Sequence, residues 1–72
     1  MTLVFQKTLV RAGEIRSFQI HQRSPAGWES SEQANHRIQQ RQCHSDWHRV
    51  ERDLARFTRE IAELRGQGWR DA

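Results

Sequence analysis

Polar and apolar positions follow two different rhythms along this chain, and the change falls near Cys43. Before it, apolar residues come in short runs or alternate with polar ones. After it, Trp47, Val50, Leu54, Phe57, Ile61 and Leu64 recur at steps of three and four. The first rhythm matches extended strands, whose side chains point to opposite faces in turn. The second is the stripe of an amphipathic helix.

Thr2–Arg11 is rich in β-branched and aromatic residues and predicts a strand. Strict alternation would place Leu3, Phe5, Lys7 and Leu9 on one face and Val4 and Val10 on the other. Ala12-Gly13-Glu14 marks a turn in which Gly13 is free to take positive φ. A second strand follows over Ile15–Gln22, with Arg16, Phe18 and Ile20 opposite Ser17, Gln19 and His21. Arg23-Ser24-Pro25-Ala26-Gly27 reads as a loop. Trp28–Glu32 reads as a short strand, and Gln33-Ala34-Asn35 as a turn, because Asn tolerates left-handed backbone. His36–Gln42 is expected to be a polar edge strand with Ile38 as its large apolar residue.

Residues 44–66 predict one helix. Ser45 is the expected N-cap and Asp46 complements the positive end of the helix dipole. Arg65 and Gly66 are the expected stop signals. Asp53 with Arg56, Arg56 with Glu60 and Arg59 with Glu63 are expected to pair on the outer face. Trp69, after the Gly66-Gln67-Gly68 bend, can fold back over the open end of the core.

These elements predict a single α+β domain over residues 1–72. It has a three- or four-stranded antiparallel sheet (1–43), a C-terminal helix packed across one face (44–66) and a tail (67–72). Phe18, Ile20, Trp28 and Ile38 should meet Trp47, Val50, Leu54, Phe57, Ile61 and Leu64. A chain of 72 residues buries only about 60% of the surface its unfolded form exposes, so nearly every large apolar residue is needed in one core. A dimer that shares a core would ease that shortage.

Charge adds a further division. The formal net charge is +3, and all of it belongs to the strand half, since the helix half is balanced. Arg16, Arg37 and Arg41 fall on predicted strands, with Trp28, Gln39 and further glutamines among them. Arg and Gln can hold phosphates or read base edges, and Trp can stack on bases. A basic outer sheet face is therefore one candidate, as a nucleic-acid surface.

Cys43-His44-Ser45-Asp46-Trp47-His48 is the densest reactive stretch. Cys43, His44 and His48 are candidate metal ligands, with His36 or His21 able to complete a site. Cys43 beside histidine near a helix start is also a candidate nucleophile. No CxxC, HExxH or Gly-rich phosphate loop accompanies them, so the simpler reading is a polar strand–helix junction. Glu29 and Glu32 are read as solvated charge rather than a catalytic carboxylate pair. No cofactor is expected.

One cysteine excludes an internal disulfide framework. There is no secretory leader pattern, and the longest apolar run is Leu3-Val4-Phe5. The chain thus reads as a cytoplasmic protein without a membrane segment. The expected function is non-enzymatic: a binding or interaction module for another protein or for a second copy of itself. Nucleic-acid binding is the alternative, and a small metal or thiol site the third reading.

Overall fold

A computed structural model describes residues 2–72. Four long strands, β1 (Thr2–Arg11), β2 (Glu14–Ser24), β3 (Gly27–Ala34) and β4 (Arg37–His44), precede α1 (Trp47–Gly66) and a two-residue strand, β5 (Arg70–Asp71). They form one antiparallel sheet in the order β4-β3-β2-β1-β5, with α1 packed across one face. The expected α+β architecture is present, and β5 is the addition. Among the described residues, no helix is long and apolar enough to cross a membrane.

Two of the three turns of the meander use left-handed backbone. Ala12 and Gly13 both take positive φ (50° and 81°), as do Asn35 and His36 (52° and 68°). Paired positive-φ residues give the turn whose twist matches that of the flanking strands. Asn35 also holds Ile15 across the sheet, accepting from its N–H through Oδ1 at 2.9 Å and donating to its carbonyl at 2.8 Å.

The core is built from Leu9, Phe18 and Ile20 of the sheet, Val50, Phe57, Ile61 and Leu64 of the helix, and Trp69. Phe18 packs on Phe57 with ring centroids 5.1 Å apart. The end of α1 explains how Trp69 arrives there. Gly68 turns left-handed (φ 96°), its N–H bonds to Arg65 O and the Trp69 N–H bonds to Leu64 O. These are the paired bonds of a Schellman cap, which bring Trp69 against the last turn. Gly68, rather than the expected Gly66, is the stop residue.

Several expectations need correction. The strand half runs through His44, and α1 begins at Trp47. Asp46, not Ser45, is the N-cap: its Oδ1 accepts from the His48 N–H at 2.9 Å. A bulge between Leu3 and Phe5 pairs Leu3 with His21 and Phe5 with Ile20, so Leu3 leaves the core face. A second irregularity between Glu32 and Gln33 pairs Ile38 with Gln33, which turns Ile38 away from the helix. Leu3, Val4, Ile38 and Trp47 consequently remain 51%, 37%, 48% and 42% exposed. The expectation that nearly all large apolar residues enter the core is therefore not met.

Candidate functional site

The chemistry beneath the two flanks of α1 differs. Toward β3 and β4 the inward positions are polar. Trp28, Ser30 and Glu32 alternate along β3 on the helix side, and Ser30 and Glu32 are buried. Asp53 stands three residues after Val50 and four before Phe57, on the core face of α1 rather than the outer face expected. Its Oδ2 accepts from Ser30 Oγ at 2.5 Å and from His44 Nε2 at 2.7 Å. An ionised carboxylate can only accept, so the His44 proton toward Asp53 sits on Nε2. Burial raises the Asp53 carboxyl. The hydrogen bonds from Ser30 and His44, with the charges of His44 and Arg56, outweigh that and hold it below its ordinary value.

Arg56 joins this group to the next. It lies 3.5 Å from Asp53, donates to Glu32 at 3.1 Å and to Gln40 at 3.2 Å, and approaches Glu60 at 3.8 Å. Arg16 lies 3.9 Å from Glu32 on the other side. Burial, then the hydrogen bond and charge of Glu32, raise the Glu60 carboxyl above its ordinary value, against the opposing charges of Arg56 and Arg16. A groove of about 610 Å³ opens here between β3, β4 and α1.

This flank meets its own chemical demands. No buried side-chain nitrogen or oxygen among the described residues lacks a hydrogen-bond partner. Ser30 and His44 both bond to Asp53, whereas nucleophilic activation requires the serine to bond to the histidine. The arrangement locks the start of α1 onto β3 and β4.

The nucleic-acid candidates do not form one surface. Arg16 and Arg37 share a row with Ala34 on the helix side of the sheet. Arg41 pairs in register with Ser31 and projects from the opposite face, where it lies 3.8 Å from Glu29. Trp28 is on the helix side at the far end of the sheet from Arg16, packed against Trp47 with centroids 5.4 Å apart. Gln39 lines the polar groove with Gln40. Phe5, Phe18 and Trp28 all face the helix, so among the described residues the outer face of the sheet offers no Phe or Trp ring for a base to stack on.

The metal and thiol candidates also diverge. As strand neighbours, Cys43 and His44 point to opposite faces. Cys43 Sγ lies 3.8 Å from Glu29 Oε2 on the outer side, while His44 turns inward to Asp53. His48 is exposed on α1, 3.6 Å from Glu51. No group of three or more His, Cys, Asp or Glu side chains among the described residues is placed to hold a metal. Glu29 and Glu32, three apart on β3, project to opposite faces. Glu29 engages Arg23 at 2.8 Å, and Glu32 engages Arg56.

The flank over β1 is different. β5 pairs with β1 only at Leu9 and Val10, and the Ala72 N–H bonds to Thr8 O at 3.0 Å. Thr2–Lys7 therefore presents an outer edge with no strand beside it among the described residues. Next to this edge, Phe5, Lys7, Thr58, Ile61, Ala62 and Arg65 line a groove of about 360 Å³ between β1 and α1. Asp71 closes one end of it, pairing with Lys7 and Arg65, each at 2.9 Å. The hydrogen bonds from Lys7 and Arg65 hold the Asp71 carboxyl below its ordinary value. Exposed Leu3 and Val4 lie along the same free edge.

Comparison with family models, curated proteins and solved structures finds nothing that matches this chain. The two flanks of α1 thus supply the functional argument.

Proposed function

We propose that this protein is a non-enzymatic interaction module that binds a protein partner through the free edge of β1 and the flank of α1 beside it. One observation carries the reading. The Thr2–Gln6 stretch is uncharged, apolar at Leu3, Val4 and Phe5, and open along its outer edge next to an apolar groove. Unpaired strand edges are templates for another strand, and proteins that do not use them guard them with charge. Added strands gain affinity from main-chain hydrogen bonds and specificity from side-chain pockets.

Other readings have less support. The polar flank has the titratable groups an enzyme would need, but they are consumed by one another. Nucleic-acid binding through the sheet would need Arg16, Arg37 and Arg41 on one accessible face, and Arg16 and Arg41 project from opposite faces toward glutamates. A reducing, cytoplasmic setting suits the proposal, since exposed Cys43 then stays a thiol.

The test is site-specific photo-crosslinking in cells that express the full chain. A photoreactive residue is placed at Leu3 (β1 edge), at Gln40 (polar groove) or at Ser17 (outer sheet face). The proposal expects a discrete protein adduct from position 3 and none from 17 or 40. Adducts only from 17 or 40, or none at all, would reject it. Salt-sensitive binding of a random-sequence DNA duplex to the purified protein would favour the nucleic-acid alternative instead.

A further inference from the structure

Resting on that reading, we infer that the strand received by the free edge of β1 is the same strand of a second copy, paired antiparallel about a two-fold axis. The first argument is chemical. A two-fold interface brings identical surfaces together, so any charge near the axis meets itself. Thr2–Gln6 has no charge to repel its copy, and the next charge along the strand, Lys7, is paired at 2.9 Å with Asp71, which Arg65 shares. The other edge of the sheet, β4, behaves in the opposite way. Self-pairing of Arg37–His44 about its midpoint would set Arg41 of the two copies close together; Arg41 approaches Glu29 only to 3.8 Å and stays 53% exposed, and like charges across strands destabilise pairing. Charge guards the β4 edge, and Thr2–Gln6 of β1 carries none.

The second argument is continuity with a pairing the fold already makes. β5 runs antiparallel along this edge of β1, and the Ala72 N–H reaches Thr8 O. Backbone groups alternate along an antiparallel strand, so Gln6, two residues before Thr8, also turns its N–H and C=O outward. The open stretch from Thr2 to Gln6 is the length of an ordinary strand. A copy laid there would extend the sheet across the axis in line with β5, and its Phe5 side chain would enter the groove formed by Phe5, Thr58, Ile61 and Ala62.

The third argument is the shortage of core. Leu3 and Val4 are exposed although the domain is small and has few large apolar residues to spend. Pairing at this edge gives both a partner.

Sedimentation velocity over a concentration series tests the inference on the full chain. Wild type is compared with Val4→Lys and Leu3→Lys on the β1 edge and with Ile38→Lys on β4. Circular dichroism melts of each variant establish that it folds, and the two β1 variants stand in for each other if one does not. The inference expects a reversible dimer for wild type and Ile38→Lys, with the dissociation constant raised at least tenfold by either β1 lysine. A wild type that stays monomeric at millimolar concentration overturns it, as does a dimer weakened by Ile38→Lys and not by the β1 lysines. The two failures separate cleanly. A monomer that still gives a position-3 adduct of another protein rejects only the second copy, whereas a monomer with no such adduct rejects the interaction reading as well.

Discussion

The two flanks of α1 solve the same problem in different ways. Over β3 and β4 the helix is held by Ser30, His44, Asp53, Arg56 and Glu32, whose hydrogen bonds and charges close on one another. Over β1 and β2 it is held by Phe18, Phe57, Ile61 and Leu64, and contact stops at Phe5 with apolar surface still uncovered. The polar flank also has an open groove and an open strand edge, but both are lined by polar and charged side chains that water can serve. The apolar flank leaves Leu3, Val4 and the groove beside Phe5 uncovered by any strand among the described residues. In this molecule a dense polar cluster marks structural closure, and the plainer apolar edge is the place proposed for a partner.

That contrast makes ordered predictions for unfolding of the monomer in dilute solution. The largest effect belongs to the apolar flank. Phe57→Ala removes a fully buried ring that touches Phe5 and Phe18 and should cost about 3–5 kcal/mol in urea unfolding. A cost below that of any polar-flank variant would reverse the assignment of what holds α1.

Asp53→Ala comes next, at about 2–3 kcal/mol, because it leaves Ser30 and His44 without their acceptor. Its pH dependence is the sharper reading. The folded pKa of Asp53 lies below the unfolded one. Its contribution is therefore complete above roughly pH 4, the unfolded value, and is lost as pH falls through the folded pKa. Asp53→Asn should flatten the acid limb of the stability profile. Glu60 has the opposite sign, since its folded pKa is raised. Its favourable contribution is present at low pH and is lost as pH rises through the folded value, so Glu60→Gln should improve stability at neutral pH relative to acid pH. Parallel profiles for wild type and both variants would show that the polar flank is not an ionised network.

Gly68→Ala is smaller. The added Cβ meets only Arg11 Cδ, at 3.8 Å, so the cost is that of left-handed backbone alone, about 1–2 kcal/mol. It should also loosen Trp69, visible as a shift of tryptophan emission. The smallest effect is at the free edge. Leu3→Ala should change monomer stability by less than about 0.5 kcal/mol, because Leu3 is half exposed. A larger loss would mean that Leu3 serves the fold rather than a partner.

The strands, the helix and the role of Trp69 could be read from apolar spacing, because burial sets that spacing directly. What could not be read depends on register. The bulge at Val4 and the shift beside Gln33 move Leu3 and Ile38 to the other side of the sheet, and neither carries a Gly or Pro to announce it. The network around Asp53 left a fainter trace. Asp53 occupies a core position between Val50 and Phe57, and Ser30 and Glu32 occupy the inward positions of β3. Polar residues at inward positions on two facing elements signal one buried cluster, though not which side chains bond. Facing also separates the arginines. Arg16 and Arg41 look alike in a charge pattern, and only strand pairing separates them. The free edge was hidden because edge status is a property of strand order, which puts the first strand beside the last.

The most direct test of the account is amide hydrogen exchange at Gln6 of β1 and at Ile38 and Arg41 of β4, measured from dilute to concentrated protein. Gln6 should gain protection as concentration rises while Ile38 and Arg41 keep theirs unchanged. Protection gained on β4 instead, or on neither edge, would contradict it.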